Sequence, residues 1–201
     1  MTNDERQTFK RMCVFCGSNV GTRAVYQDVA RELGNELARR GIGLVYGGGR
    51  VGLMGVIADA VLQGGGEVVG VIPDHLMRKE VEHRGLTELR VVGTMHERKA
   101  LMADLSDGFI ALPGGFGTYD EFCEVVTWAQ LGLHQKPCGI LNVAGFFDSL
   151  LAMFDHATFE GFIRPDHRAM LRVASDANSL LDAMAEYRAP VVEKWLTRSD
   201  V

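Results

Sequence analysis

Short, mostly apolar runs alternate with segments of helical periodicity along almost the whole chain, and that alternation leaves few folds open. The runs are Met12–Cys16, Gly43–Tyr46, Val68–Ile72, Glu88–Val92, Gly108–Leu112 and Cys138–Leu141, followed by Leu171–Ala174. They are too short for buried helices and read as strands. Between the first two, Val25, Val29, Leu33 and Leu37 recur at every fourth position in a segment closed by Gly41. Further helical patterns run from Val51 to Leu62, Met95 to Leu105, Glu121 to Leu131, Phe146 to Phe159 and Ala177 to Tyr187. Apolar strands separated by helices predict a parallel sheet covered on both sides. The expected class is therefore α/β, a single Rossmann-like, doubly wound parallel sheet with helices on both faces. The polar residues 1–10 are expected to fray, and residues 11–201 to form one domain.

That architecture places a ligand beyond the carboxyl ends of the strands. The glycine-rich and proline-containing turns fall there: Gly17-Ser18, Gly47-Gly48-Gly49, Pro73-Asp74 and Pro113-Gly114-Gly115. The last opens Pro113-Gly114-Gly115-Phe116-Gly117-Thr118-Tyr119-Asp120-Glu121, where a strand runs through glycines into a helix. Backbone N–H groups at such a helix N-terminus cradle anions. Glu121, read as lying in the first helical turn, puts a carboxylate within reach of the bound group. A phosphate cradle beside a carboxylate points to chemistry on a phosphorylated small molecule.

Each motif also has a plainer reading. Thr118-Tyr119-Asp120-Glu121 is a T-x-x-E capping box, but a cap does not need three glycines directly upstream, which favour close approach of a ligand. Gly47-Gly48-Gly49-Arg50-Val51-Gly52 matches G-x-G-x-x-G, with Asp74 as the acid for a ribose. It follows the second strand, and little chain remains for a separate substrate domain, so a tight turn facing a smaller nucleotide is expected. Arg98 and Lys99 sit near a helix start, where cations oppose the dipole unless an anion is close; a solvated charged face is the alternative. Glu80 lies in a charged run and carries no role by itself.

Composition narrows the partners. The net charge of −5 over 201 residues argues against a polymeric nucleic acid partner. No run approaches the roughly 18–20 apolar residues of a membrane span, and the polar N-terminus lacks the apolar stretch of a secretory signal. A cytoplasmic protein with reduced thiols is expected. Cys13 and Cys16 form C-x-x-C, yet on a strand they point to opposite faces, and Cys123 and Cys138 stand alone. The six histidines show no ligand spacing, so neither a metal nor a disulfide is expected.

Several separated segments resemble one family. These are Tyr46-Gly47-Gly48-Gly49-x-Val51-Gly52-Leu53-Met54-Gly55, Met95-His96-Glu97-Arg98-Lys99, Pro113-Gly114-Gly115-Phe116-Gly117-Thr118-x-x-Glu121 and Thr127-Trp128-Ala129-Gln130-Leu131-Gly132. Together, over Met12 to Ile163, they look like the LOG ("Lonely Guy") family of cytokinin riboside 5′-monophosphate phosphoribohydrolases, proteins often labelled lysine decarboxylases. The resemblance implies hydrolysis of the N-glycosidic bond of a nucleoside 5′-monophosphate to free base and ribose 5-phosphate. It also implies a Rossmann-like homodimer without an organic cofactor. It assigns Arg98 and Glu121 as the catalytic pair. Substrate contacts fall on Glu80, Arg98, Lys99, Gly114, Gly115, Phe116, Gly117, Thr118, Tyr119, Asp120, Glu121 and Thr127, with Gly17, Ser18, Gly47, Gly48 and Gly49 as candidate pocket lining. Where the family often has two glutamates, this chain has Asp120-Glu121. A general nucleotide nucleosidase and a non-catalytic nucleotide or cofactor carrier are the competing readings. A lysine decarboxylase is disfavoured, since no lysine lies in a Schiff-base context.

Overall fold

The computed structural model describes residues 7–77, 83 and 85–190. Strands β1 (Arg11–Phe15), β2 (Gly43–Tyr46), β3 (Val68–Pro73), β4 (Glu88–Val92), β5 (Gly108–Ala111), β6 (Cys138–Leu141) and β7 (Leu171–Ala174) pair in parallel in the order β4-β3-β2-β1-β5-β6-β7. Each apolar run became a strand within a residue or two of its expected bounds. The helices are α1 (Ala24–Arg39), α2 (Gly52–Gln63), α3 (Asp74–Met77), α4 (Met95–Asp104), α5 (Phe116–Gln130), α6 (Asp148–Phe159), α7 (Pro165–Arg168) and α8 (Ala177–Ala185).

The period of two along each strand divides the core. From β1, Met12, Val14 and Cys16 face the side packed by Leu33 and Leu37 of α1, Ile57 of α2 and Leu180 of α8. Cys13 and Phe15 face the other side, with Met102 of α4, Phe122 and Val125 of α5, and Phe147. Both strand faces are buried, as a parallel sheet requires. It also separates the two C-x-x-C thiols, which are free and buried, and burial holds both in the protonated form. The edge strand β4 exposes Arg90 and the half-buried Glu88, which pair at 2.6 Å, a charged border that discourages pairing with another chain.

Residues 7–10 are tied to the domain: Gln7 N–H donates to the carbonyl of Ala185, and Lys10 N–H donates to Asp107. Gly41 ends α1 as expected. It has a φ of +68°, and the N–H groups of Gly41 and Ile42 close a Schellman motif on the carbonyls of Ala38 and Leu37.

Helices α1 and α2 approach through Gly34, where an added Cβ would lie 2.7 Å from Ala60 Cβ and 2.8 Å from the carbonyl oxygen of Ile57. Gly34→Ala gains about 1 kcal/mol of helix propensity, against an overpacking cost of about 1–3 kcal/mol. The contact with backbone cannot relax by a rotamer change, so we expect a net loss of about 1–2 kcal/mol in chemical denaturation. An unchanged midpoint would mean that the two helices separate without cost.

Candidate active site

The chain runs outward from β1 to β4 and then returns through α4 to place β5 beside β1, so the order reverses between those two strands. A doubly wound sheet opens a crevice at that reversal. Here it measures about 200 Å3 and is lined by Gly17, Ser18 and Asn19 after β1, Gly114 and Gly115 after β5, and Phe146. Gly17 N–H donates to the carbonyl of Pro113 at 3.0 Å, joining the two turns.

The helix on this crevice starts earlier than the sequence indicated. The N-cap of α5 is Gly115, so Thr118 lies inside the first turn and Glu121 in the second. The capping-box reading of Thr118 and Glu121 is thereby corrected. Thr118 is buried against Gly114, where a Cβ would meet its Oγ1 at 2.1 Å, and packing there draws the helix start upstream. A related reciprocal cap closes the start of α4 instead, with its acid reaching one residue past the N-cap. Thr94 Oγ1 caps α4 by accepting from Glu97 N–H, while Glu97 accepts from Gly93 N–H.

By contrast, no side chain caps α5 and no acid stands in its first turn. Its leading N–H groups are left for another acceptor. The three glycines of the motif divide by function. Gly114 is enclosed by Thr118 and by the backbone of Gly17, whereas a Cβ at Gly115 or Gly117 would meet nothing within 4 Å. Neither of those two has a positive φ. Neither packing nor conformation requires glycine at Gly115 or Gly117, and both border open space. Phe116 between them is 92% exposed.

Arg98 and Glu121 meet between α4 and α5, with Arg98 Nη1 3.5 Å from Glu121 Oε1. Both are largely buried, Arg98 at 8% exposure and the Glu121 side chain at 12%. Arg98 Nε donates to the carbonyl of Val71 at 3.1 Å, and Nη2 to that of Gly47 at 3.2 Å. Burial pushes the Glu121 carboxyl above its ordinary range, with Asp120 and Glu124 adding to the rise, while Arg98 and Lys99 pull it back only in part. A carboxylate costly to ionise but held beside a guanidinium suits a site where charge develops.

The other expected residues take varied places. Lys99 Nζ lies 3.1 Å from Asp120 and 3.1 Å from Glu124. Burial works to lower its pKa, but the two carboxylates outweigh it and the ammonium is held charged. Glu124 was not read from the sequence, although it follows Asp120 by one helical turn on the same face. Thr127 continues that stripe, its hydroxyl donating to the carbonyl of Cys123. Half-buried Tyr119 sets its ring edge-on to Phe147 at 6.4 Å. Gly47, Gly48 and Gly49 are buried, and Gly48 faces Ile72 and Leu89 rather than the crevice. Glu80 lies outside the described residues. A larger hollow of about 550 Å3 runs between α4 and α5, bordered by His96, Glu124 and Trp128. Among the described residues, no group of His, Cys, Asp or Glu is placed to hold a metal ion.

A family model described as "Possible lysine decarboxylase" matches residues 54–184. The cytokinin riboside 5′-monophosphate phosphoribohydrolase LOG of rice, Oryza sativa subsp. japonica, is 54% identical over 98% of this chain and 81% of its own length. The cytokinin riboside 5′-monophosphate phosphoribohydrolase LOG3 of Arabidopsis thaliana is 51% identical over 96% of this chain and 90% of its own. Among solved structures, the molybdenum cofactor carrier protein of Chlamydomonas reinhardtii superposes with a TM-score of 0.67 at 22% identity, over 88% of this chain and 96% of that one. At that identity the likeness shows the fold alone.

Proposed function

Because the chain belongs to the LOG family of cytokinin riboside 5′-monophosphate phosphoribohydrolases, we propose that it hydrolyses the N-glycosidic bond of an N6-prenylated adenosine 5′-monophosphate. The products are the free base, a cytokinin, and ribose 5-phosphate. The observation that carries the assignment of residues is the buried Arg98–Glu121 pair beside an uncapped helix N-terminus whose Gly115 and Gly117 face open space.

In this reading the 5′-phosphate accepts hydrogen bonds from the amides of Gly114 to Thr118, where the α5 dipole favours its charge. The ribose is then presented to Glu121. As the C1′–N bond breaks, positive charge builds on the sugar and negative charge on the base. The Glu121 carboxylate stabilises the sugar and orients the water whose oxygen bonds to C1′, as carboxylates do in O-glycosidases. As its oxygen bonds to C1′ the water gives up one proton and the departing base nitrogen takes one up, so one water is consumed with no net release of protons. Arg98 favours the ionised form of Glu121 against the cost of burial, and its remaining N–H groups favour departure of the base. Lys99, Asp120, Glu124 and Thr127 form a polar stripe bordering the site, and Tyr119 buttresses the loop.

We read the assembly as a homodimer, since the family resemblance implies one; the exposed Met153, Phe159 and Phe162 on and just beyond α6 are large apolar side chains left to solvent in the single chain. No helix among the described residues is long and apolar enough to cross a membrane, and buried free thiols accord with a cytoplasmic setting.

Chromatography of the products tests the reaction. With isopentenyladenosine 5′-monophosphate and AMP in parallel, wild-type protein is expected to release base and ribose 5-phosphate, faster from the prenylated nucleotide. Comparable rates would assign it to general nucleotide turnover. Binding without release would favour a carrier.

A further inference from the structure

The turn after β2 holds three consecutive glycines, and two of the motif's glycines need no ligand to explain them. Gly48 has a φ of +78° and Gly52 a φ of +65°, a backbone region that L side chains avoid. Gly52 also presses on the backbone of Ser18, where a Cβ would lie 2.2 Å from the carbonyl carbon. Gly47 differs, because its φ is not positive. What forbids a side chain there is the guanidinium of Arg98. A Cβ at Gly47 would lie 2.1 Å from Nη2 and 3.3 Å from Cζ, and its other near contact is the flexible Met54 thioether at 3.3 Å.

We propose that Gly47 is a positioning residue for Arg98. Its missing side chain lets the guanidinium come up against the β2–α2 turn, and the carbonyls of Gly47 and of Val71 on β3 aim it at Glu121. The inference deepens the reading of Glu121 and Arg98 given above and rests on it. The seat is built from two adjacent strands. The Val71 carbonyl on β3 takes Nε, the Gly47 carbonyl at the end of β2 takes Nη2, and Nη1 is left facing Glu121 and the Met95 sulfur. Neutral carbonyls fix a cation without cancelling its charge, so the full positive charge still acts on Glu121 and on a bound anion. In a largely desolvated site that charge acts through a low dielectric. A carboxylate in the seat would hold the arginine as firmly but would neutralise it. The GGG turn thus serves the site from behind, by shaping its arginine, while the α5 glycines face the ligand.

Gly47→Ala tests this directly. The guanidinium must move by about an ångström, and misplacement on that scale is expected to lower kcat about 10- to 100-fold with a smaller change in KM. The acid limb of kcat/KM should move to higher pH. Glu121 would lose part of the influence of Arg98, while burial, Asp120 and Glu124 still push its carboxyl upward against Lys99 and a weakened Arg98. A cycle with Arg98→Ala separates positioning from damage to the turn. Once the guanidinium is gone its two clashes with the added methyl are gone too and the flexible Met54 thioether is the remaining one of the three nearest contacts, so Gly47→Ala should cost much less in that background. An equal loss in both backgrounds, or an unmoved acid limb, would overturn the proposal. So would a double variant that fails to fold. The Arg98 Nε–H resonance, expected to exchange slowly in the wild type and to shift in Gly47→Ala, reports the seat without activity. A wild type that releases no base while this resonance behaves as expected would sink the functional reading and leave the seat standing.

Discussion

Replacing Glu121 by glutamine is expected to lower kcat between about 10²- and 10⁴-fold, the range typical for loss of a positioned carboxyl group. The fold should survive. Glutamine is nearly the same shape, Arg98 keeps its two carbonyl partners, and the change removes a charge that is costly to bury. The pH dependence follows from the direction of the Glu121 shift. Burial raises its carboxyl in the folded protein, so the folded state binds that proton more tightly than the unfolded chain. The stability this group contributes is fully present below its unfolded pKa and is lost as pH rises through the higher folded one. Wild-type stability should therefore gain on the glutamine variant upon acidification through that window, as thermal melts across the pH range would show. Activity runs the opposite way. Since the carboxylate is the working form, wild-type kcat/KM should fall on the acid side, with a midpoint above the ordinary carboxylate range. Near-wild-type turnover by Glu121→Gln would remove Glu121 from the mechanism.

The second large effect concerns the phosphate. Two or three charge-assisted hydrogen bonds at about 1.5–3 kcal/mol each predict that AMP exceeds adenosine in kcat/KM by about 10²-fold or more. Gly117→Ala makes the same point with opposed signs. A Cβ at Gly117 meets nothing within 4 Å and sits in the first turn of α5, so alanine should raise stability by up to about 1 kcal/mol. The same methyl occupies the space assigned to the phosphate. We expect at least a tenfold drop in kcat/KM for the nucleotide and almost none for the nucleoside. A variant that is both more stable and fully active on the nucleotide would show that the phosphate does not sit there.

Much of this protein is legible locally. A strand that is apolar on consecutive residues has no face to offer water, so Met12–Cys16 or Gly108–Leu112 fits only the interior of a doubly covered sheet. Period-four apolar positions in Val25–Leu37 and a glycine at 41 state a helix and its end. The glycines before α5 are legible in one stretch of chain, whereas Arg98 and Glu121 were paired only through the family resemblance and meet at 3.5 Å from two different helices. The site was misread where the outcome depends on packing from elsewhere. The sequence Thr118-x-x-Glu121 has the chemistry of a cap, yet α5 begins at Phe116 because Thr118 is drawn into contact with Gly114 beside the Gly17 backbone. The ion pairs that hold Lys99, with Asp120 and Glu124, could not be read locally, because those carboxylates arrive from another helix.

By itself, then, the sequence determined the parallel sheet and the family, since periodicity and motif are local properties of the chain. Only the tertiary structure decided what Arg98 rests on. Its partners are the backbone carbonyls of Val71 and Gly47, 27 and 51 residues away along the chain. A carbonyl is the same in every residue, so it leaves no trace in the sequence until the strands that carry it are set side by side.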